Sequence, residues 1–325
     1  MCDVFILGAG SIGTALAQLC SNGTNNVFIW GRNQRIIDSI NMDRLNCDYF
    51  PEVHLSNKIT ATNSFEFMSN CEIIFICVPS HAVRTVSRSI KPYVSPESIV
   101  VSLAKGVEYP PLKRMSTVVQ EELGKDQVIV MSGPNFADEI ICSKRTGTTL
   151  ASTDKDSLTK LKTTMECDKF VVQTSTDVIG VELGGILKNV YSMAMGICDG
   201  LGVNENAYHF VFSQAVKEMY EIILCEGGKP ESIFLSSGIG DLSLTASSNK
   251  SRNRTLGLLY GKSILSNGEG TNVIQEGRKS IAAVKGLCDE KGLKVPLIEF
   301  THSVIREDQN PYDAFKDLWQ KLGGW

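Results

Sequence analysis

From residue 2 to about 175 the chain alternates short β-branched apolar runs with amphipathic stretches, and after about residue 177 the short runs stop. The spacing predicts strands at residues 4–7, 27–30, 73–78, 99–102, 128–132, 148–151 and 170–173. Helical patterns lie between several of them, at 11–20, 36–41 and 82–90. The runs EIIFICV and SIVVSL are apolar nearly throughout, as expected for parallel strands covered on both faces. Beyond residue 177 long helical patterns take over, at 178–198, 206–225, 241–247, 272–291 and 311–322. Clusters of Gly and Asn, as in CEGGKP and LSNGEGTN, separate them. The pattern therefore predicts an α/β domain over residues 1–177 and an all-α domain over 178–325.

The first domain begins with VFILGAGSIGTALAQLC, which spaces Gly8, Gly10 and Gly13 as GxGxxG between a predicted strand and a predicted helix. That context predicts a Rossmann-like dinucleotide-binding domain: one glycine for the tight turn, one for approach to the pyrophosphate, one for helix–strand packing. The carboxylate expected about 20 residues further on, to hold the adenosine ribose, is missing. Trp30, Gly31, Arg32 and Asn33 stand there instead. Arg32 can pair with a 2′-phosphate, so NADP fits as well as NAD, with a merely solvated arginine as the alternative.

The second domain opens with VELGGILKNVYSMAMG, apolar nearly all round a helix yet carrying Lys188 and Asn189. A buried, unpaired ammonium is strongly unfavourable, so a partner or a task is expected for it. Gly184, Gly185 and Tyr191 share the face of Lys188, and the two glycines suggest a small gap through which a ligand reaches the ammonium. A partly desolvated lysine can exchange protons near neutral pH; a snorkelling lysine over a close-packed glycine pair is the alternative. Further on, Asp241 follows a glycine turn as a candidate N-cap, with Thr245 one turn later. Asn249, Lys250, Arg252, Asn253 and Arg254 then crowd into a polar loop that suits a phosphate or simply faces solvent. Lys105 and Gly106 follow the strand SIVVSL, and Gly133, Pro134 and Asn135 follow another, where α/β sheets bind ligands.

Composition narrows the class. The 325 residues are 42% hydrophobic and 21% charged with a net charge of -4, which excludes a disordered chain and argues against a nucleic-acid binder. The ten cysteines form no CxxC pair and, with the four histidines, no metal spacing; reduced core cysteines, for example Cys77 and Cys225, are expected. No basic leader or apolar span precedes the first strand, so a cytoplasmic protein without membrane contact is expected.

The ordered series GAGSIGTALA, WGR, VPSH, LAKGVE, GPNFADEI, ELGGILKNVYSMAMG, GIGDLSLT, SRNRTLG and QEGRKSIAAVKGL resembles the NAD(P)-dependent glycerol-3-phosphate dehydrogenases of bacterial type. The resemblance implies hydride transfer between NAD(P)H and dihydroxyacetone phosphate, giving sn-glycerol 3-phosphate, in a cytosolic homodimer that feeds phospholipid synthesis. It implies that Lys188 is the general acid, that Lys105 adds positive field at the carbonyl, and that Asp241 pairs with a lysine. Thr245, Arg252, Asn253 and Asn189 would contact the phosphate and hydroxyl groups of the substrate, with Gly133 and Asn135 beside them. The cofactor side would take Gly8, Gly10, Ser11, Ile12, Gly13, Trp30, Arg32, Pro79, Lys105, Ala137, Arg252 and Glu276. Two other readings are open: a β-hydroxyacid dehydrogenase of similar two-domain build, and an NAD(P)-binding sensor without turnover. A carboxylate substrate would not need both DLSLT and SRNR, and a sensor would not need Lys188. No role follows for the closing segment IREDQNPYDAFKDLW.

Overall fold

The computed structural model describes residues 2–24, 26–110, 112–265 and 272–323, and for residues 272–276 the backbone alone. The chain forms two compact units, Met1–Glu108 with Lys113–Val178, and Tyr109–Leu112 with Ile179–Trp325.

In the first unit the strands are β1 (Val4–Leu7), β2 (Val27–Trp30), β3 (Ile59–Thr62), β4 (Ile73–Ile76), β5 (Ile99–Ser102), β6 (Val107–Glu108), β7 (Lys113–Arg114), β8 (Ile129–Ser132), β9 (Thr146–Ala151) and β10 (Phe170–Ser175). Its helices are α1 (Ser11–Cys20), α2 (Gln34–Asp38), α3 (Ser80–Ile90), α4 (Met115–Leu123), α5 (Ala137–Ile141) and α6 (Lys155–Met165). Eight strands make one sheet in the order β10-β9-β8-β5-β4-β1-β2-β3, while β6 and β7 form a separate hairpin. From β3 to β8 all neighbours are parallel. β9 turns antiparallel to β8, and β10 runs with β9.

The alternation of β1 explains why the sheet is sandwiched. Val4 and Ile6 enter the core shared with α1 and α6, whereas Phe5 and Leu7 enter the core shared with α3 and α4. All four are fully buried, and each such side chain contributes roughly 1.5–3 kcal/mol by leaving water. The β-order reverses between β1 and β4, so their C-terminal ends form the switch point at which such sheets bind ligands.

Several elements depart from the periodicity. β3 reads ITAT, half polar, because it is the sheet edge; Asn41 closes its outer side by accepting from the Ala61 N–H at 2.8 Å and donating to the Ala61 carbonyl at 2.9 Å. The pattern at 36–41 splits into α2 and a wider π-turn, Ser39–Asp43. Strand 73–78 stops at Ile76, which frees Cys77 and Val78 for the turn into α3.

The second unit is helical: α7 (Val178–Gly200), α8 (Glu205–Cys225), α9 (Asp241–Ser247), α10 (Arg252–Gly261), α11 (Asn272–Lys291), α12 (Pro296–Arg306) and α13 (Pro311–Gly323). Of the 23 residues of α7, 18 are buried, which accounts for a sequence apolar on every face. The polar run expected as a loop instead opens α10, with Ser251 as N-cap accepting from the Arg254 N–H at 3.2 Å. Glycines hid this helix. Gly257 and Gly261 of α10 face Gly196 and Gly200 of α7 so closely that a Cβ on Gly257 would lie 2.0 Å from the Met193 carbonyl, and one on Gly196 would lie 2.1 Å from that of Arg254. Cys225 is also not a core residue; it ends α8 exposed to solvent, and the ten cysteines form no disulfide.

Glu218 of α8 is fully buried beneath α7. Its carboxyl accepts from the N–H groups of Leu297 (2.8 Å) and Ile298 (3.3 Å) at the start of α12, from Gln214 (3.0 Å), and from the Tyr191 hydroxyl (3.4 Å), one turn beyond Lys188. Burial nevertheless dominates these bonds and pushes the carboxyl up to about 7. The folded state thus holds a proton that the unfolded chain releases near pH 4.3, so the contribution of neutral Glu218 is complete below that pH and lost as pH rises through about 7. The swing is on the order of 4 kcal/mol at most. Melting curves from pH 4.5 to 8 are expected to show the wild type losing stability relative to Glu218→Gln across this window. Parallel curves would mean that Glu218 is already ionised in the folded protein.

Candidate active site

The turn from β1 into α1 realises three separate demands on its glycines. Gly8 has φ +121°, and a Cβ there would lie 2.9 Å from the Cys77 carbonyl at the end of β4. Gly13 lies against the loop itself, where a Cβ would fall 1.9 Å from the Gly8 carbonyl. Around Gly10 nothing approaches within 4 Å of a built Cβ. The outward side of the turn is therefore open, in front of the N–H groups that begin α1 with no acidic residue in its first turn. This is where a pyrophosphate fits. Ser11 is exposed beside it and Ile12 packs part-buried on the core.

Asn46 holds this loop, a role its sequence context did not signal. It is fully buried and its amide donates to the Ala9 carbonyl at 3.1 Å and to Thr14 Oγ1 at 2.8 Å. At the end of β2, the Trp30 indole donates to the Asn63 carbonyl at 3.1 Å and stacks on Phe65 with centroids 5.1 Å apart. Arg32 is exposed, and Asn33 is occupied in capping α2 through the Arg35 N–H at 3.1 Å. Arg32→Ala is expected to weaken NADPH binding by about tenfold and NADH binding little, because one charge-assisted pair to a 2′-phosphate contributes about 1.5 kcal/mol. Equal loss for both dinucleotides in a fluorescence titration would separate Arg32 from the 2′-phosphate.

Pro79 is exposed and begins α3 directly after β4. Lys105 follows β5, half-buried, with Nζ 3.5 Å from the Gly133 carbonyl beyond β8. Gly133 has φ +154° and lets the strand end approach Thr148, whose Cα would be 3.1 Å from a Cβ. Asn135 spends both ends of its amide on β9, donating to the Gly147 carbonyl at 2.8 Å and accepting from Thr148 Oγ1 at 3.0 Å. Ala137 is the first residue of α5. Lys105, Gly133 and Asn135 are thus brought together at the C-terminal ends of adjacent strands.

In the second unit, Lys188 has its partner. Its Nζ lies 2.5 Å from Asp241 Oδ1, with Lys188 7% exposed and Asp241 1%. Asp241 is the first residue of α9 and not its N-cap: Gly240 precedes the helix, and the carboxylate turns to the ammonium. Thr245 donates its hydroxyl to the Asp241 carbonyl at 2.6 Å and approaches Oδ1 at 3.4 Å, so Lys188, Asp241 and Thr245 form one cluster. The gap expected beside Gly184 is closed. A Cβ there would meet the Ser237 carbonyl at 2.5 Å, so this glycine admits the backbone leading into α9 and brings Asp241 within reach of Lys188.

Asn189 is part-buried on α7, its carbonyl accepting from Ser192 Oγ at 3.0 Å. Arg252 is exposed and Asn253 part-buried in the first turn of α10. A Cβ on Gly277 would lie 3.8 Å from Asn253 Oδ1, which places the backbone of the EG motif beside that amide. The Glu276 side chain lies outside the described residues. Among the described residues no three His, Cys, Asp or Glu side chains are grouped to hold a metal ion, and no helix is long and apolar enough to cross a membrane.

Comparison with known proteins matches both units. Residues 3–158 match the family described as NAD-dependent glycerol-3-phosphate dehydrogenase N-terminus, and residues 177–316 match its C-terminus. A glycerol-3-phosphate dehydrogenase of NAD(P)+ type from Methanothermobacter thermautotrophicus is 38% identical, with 98% of each chain covered. One from Clostridium botulinum is 33% identical over 98% of this chain and 97% of that one. The crystal structure of glycerol-3-phosphate dehydrogenase from Coxiella burnetii superposes with a TM-score of 0.90 at 30% identity, over 98% of this chain and 99% of that one. D-mandelate dehydrogenase, at 12% identity and a TM-score of 0.58, shares the fold alone.

Proposed function

Because this chain belongs to the NAD-dependent glycerol-3-phosphate dehydrogenase family and interconverts dihydroxyacetone phosphate and glycerol 3-phosphate with NAD(P)H, we propose that Lys188 is its general acid and base. The observation that carries this reading is the 2.5 Å contact between two almost fully buried groups, Lys188 and Asp241. Asp241 pairs with the ammonium and aims it, while Thr245 holds the Asp241 backbone carbonyl and approaches Oδ1. In reduction, Lys188 Nζ gives a proton to the oxygen on C2 as that carbon gains hydride, so ketone plus hydride plus proton becomes alcohol. In oxidation the amine takes the proton back. Lys105 contributes fixed positive charge where the alkoxide develops.

A reduced nicotinamide supplies the hydride when bound, with its dinucleotide on the Gly8–Gly10–Gly13 turn and Arg32 at the ribose of the adenosine. Arg252, Asn253 and Asn189 receive the substrate phosphate and hydroxyls, with Arg252 supplying the charge-assisted bonds. Two further features belong to this reading. The protein works in the cytoplasm, in keeping with ten unpaired cysteines. It works as a homodimer, in keeping with aromatic side chains left at the surface of the second unit, where Phe210 and Trp319 lie 5.6 Å apart and both are exposed.

Loss of reduced-nicotinamide absorbance, followed with dihydroxyacetone phosphate and with unphosphorylated dihydroxyacetone, tests the anion site. The phosphorylated ketone is expected to have a KM at least about 10²-fold lower, as removal of a paired charge from a polar site predicts. Equal KM values would remove the phosphate from recognition.

A further inference from the structure

The segment Ser251–Arg254 carries two arginines, and the structure gives them different work. Arg252 is exposed, whereas the Arg254 side chain is 15% exposed and turns two of its three guanidinium nitrogens to protein acceptors. Nη2 lies 2.8 Å from Asp199 Oδ2 near the end of α7, and Nη1 donates to Asn249 Oδ1 at 2.6 Å in the turn that leads into α10. Its backbone is engaged as well. The N–H is held by the Ser251 cap, and the carbonyl faces Gly196 of α7.

The helix crossing explains what such a clamp does. Gly196 and Gly200 each admit backbone of α10, and Gly257 and Gly261 each admit backbone of α7, so main chain sets the distance at this crossing. Ridges and grooves are what normally fix the rotation and axial shift of one helix on another. Any rotation or axial shift of α10 on this seam carries Arg252 and Asn253, in its first turn, with it. The low-exposure ion pair, with a third partner in the preceding turn, adds a side-chain tie across the crossing that opposes such a shift.

We propose that Arg254 and Asp199 are positioning residues for substrate phosphate: they do not touch it, and they set its affinity by holding the first turn of α10, with Arg252 and Asn253, against α7. The inference rests on the reading of Arg252 and Asn253 as phosphate contacts.

The test is steady-state kinetics with dihydroxyacetone phosphate on full-length Asp199→Asn, Arg254→Met, Arg254→Lys, their Asp199→Asn/Arg254→Met double variant, and Arg252→Ala. Asp199→Asn and Arg254→Met are each expected to raise KM for the phosphorylated substrate about tenfold, with kcat within about threefold and NADH affinity unchanged. The double variant is expected to be no worse than Arg254→Met, because the two residues act as one unit. Arg254→Lys is expected to recover part of the KM, since it keeps the charge toward Asp199 and loses the fork to Asn249. A lowered melting temperature with wild-type KM in both single variants would make the pair purely structural and overturn the proposal. If Arg254→Met does not fold, Asp199→Asn alone decides. Wild-type KM in Arg252→Ala would instead overturn the phosphate reading on which the inference stands, whereas a raised KM there with wild-type values in the other two would overturn the positioning role alone.

Discussion

Lys188→Ala is expected to lower kcat by roughly 10²–10⁴-fold while NADH affinity stays near wild type, the range found when a positioned general acid is removed. The variant has a second consequence that must be separated from the first. Removing the ammonium leaves Asp241, 1% exposed, as a buried carboxylate without its 2.5 Å partner. Breaking such a pair from one side costs about 3–5 kcal/mol, so the melting temperature falls too. Lys188→Ala combined with Asp241→Asn removes the orphaned charge. It is expected to regain most of the lost stability and none of the lost turnover. Initial rates of reduced-nicotinamide oxidation, taken well below both melting temperatures, distinguish the outcomes. Wild-type kcat in Lys188→Ala would take Lys188 out of the chemistry, and recovery of kcat in the double variant would reduce the pair to a structural bridge.

That Lys188 needed a partner was legible from the chain alone, because an ammonium inside an all-apolar helix has few physical solutions. That Asp241 pairs with a lysine was legible as a resemblance, since it lies in GIGDLSLT, but not which lysine. The geometry that joins them was not. Gly184 suggests an opening when read along one helix, and only the backbone at Ser237, within 2.5 Å of its missing Cβ, reveals a closed seam. The same confusion hid α10. The crowded polar residues 249–254 read as a loop. The glycines that follow, each lowering helix propensity by about 1 kcal/mol, weaken the helical signal until the facing glycines of α7 give Gly257 and Gly261 a packing reason. Local patterns carried the sheet further: β1 and β5 fall where their apolar runs place them, because strands buried on both faces have continuous signals, and β2 does too, its part-buried face being aromatic. β3 had none, being half polar and completed by the distant amide of Asn41. Asn46, which holds the dinucleotide loop, could not be picked out either, since a buried loop amide looks like any exposed one until its partners are known.

Two glycines three residues apart are expected to fail in opposite ways. Gly13→Ala places a methyl 1.9 Å from the Gly8 carbonyl, a backbone atom at the switch point that has no rotamer to escape into. Either α1 lifts from β1 or the turn deforms. The first unit is expected to lose on the order of 3 kcal/mol or more and to bind no dinucleotide at accessible concentrations. At Gly10 the backbone has φ -83° and ψ -173°, which any residue adopts, and nothing lies within 4 Å of the added methyl. Gly10→Ala therefore keeps its fold, and the loss of a glycine from the unfolded chain adds about 0.4–1 kcal/mol of stability. Its methyl stands in the open space before the N–H groups of α1, so dinucleotide affinity is expected to fall by about 10²-fold although nothing in the free protein has changed. Thermal melts and NADH fluorescence titrations on both variants read the two effects independently. If Gly10→Ala melted as expected and still bound NADH as the wild type does, the open side of the turn would not be where the pyrophosphate lies. A stable Gly13→Ala would mean that α1 tolerates displacement, and the close helix–strand contact would then not be what shapes the loop.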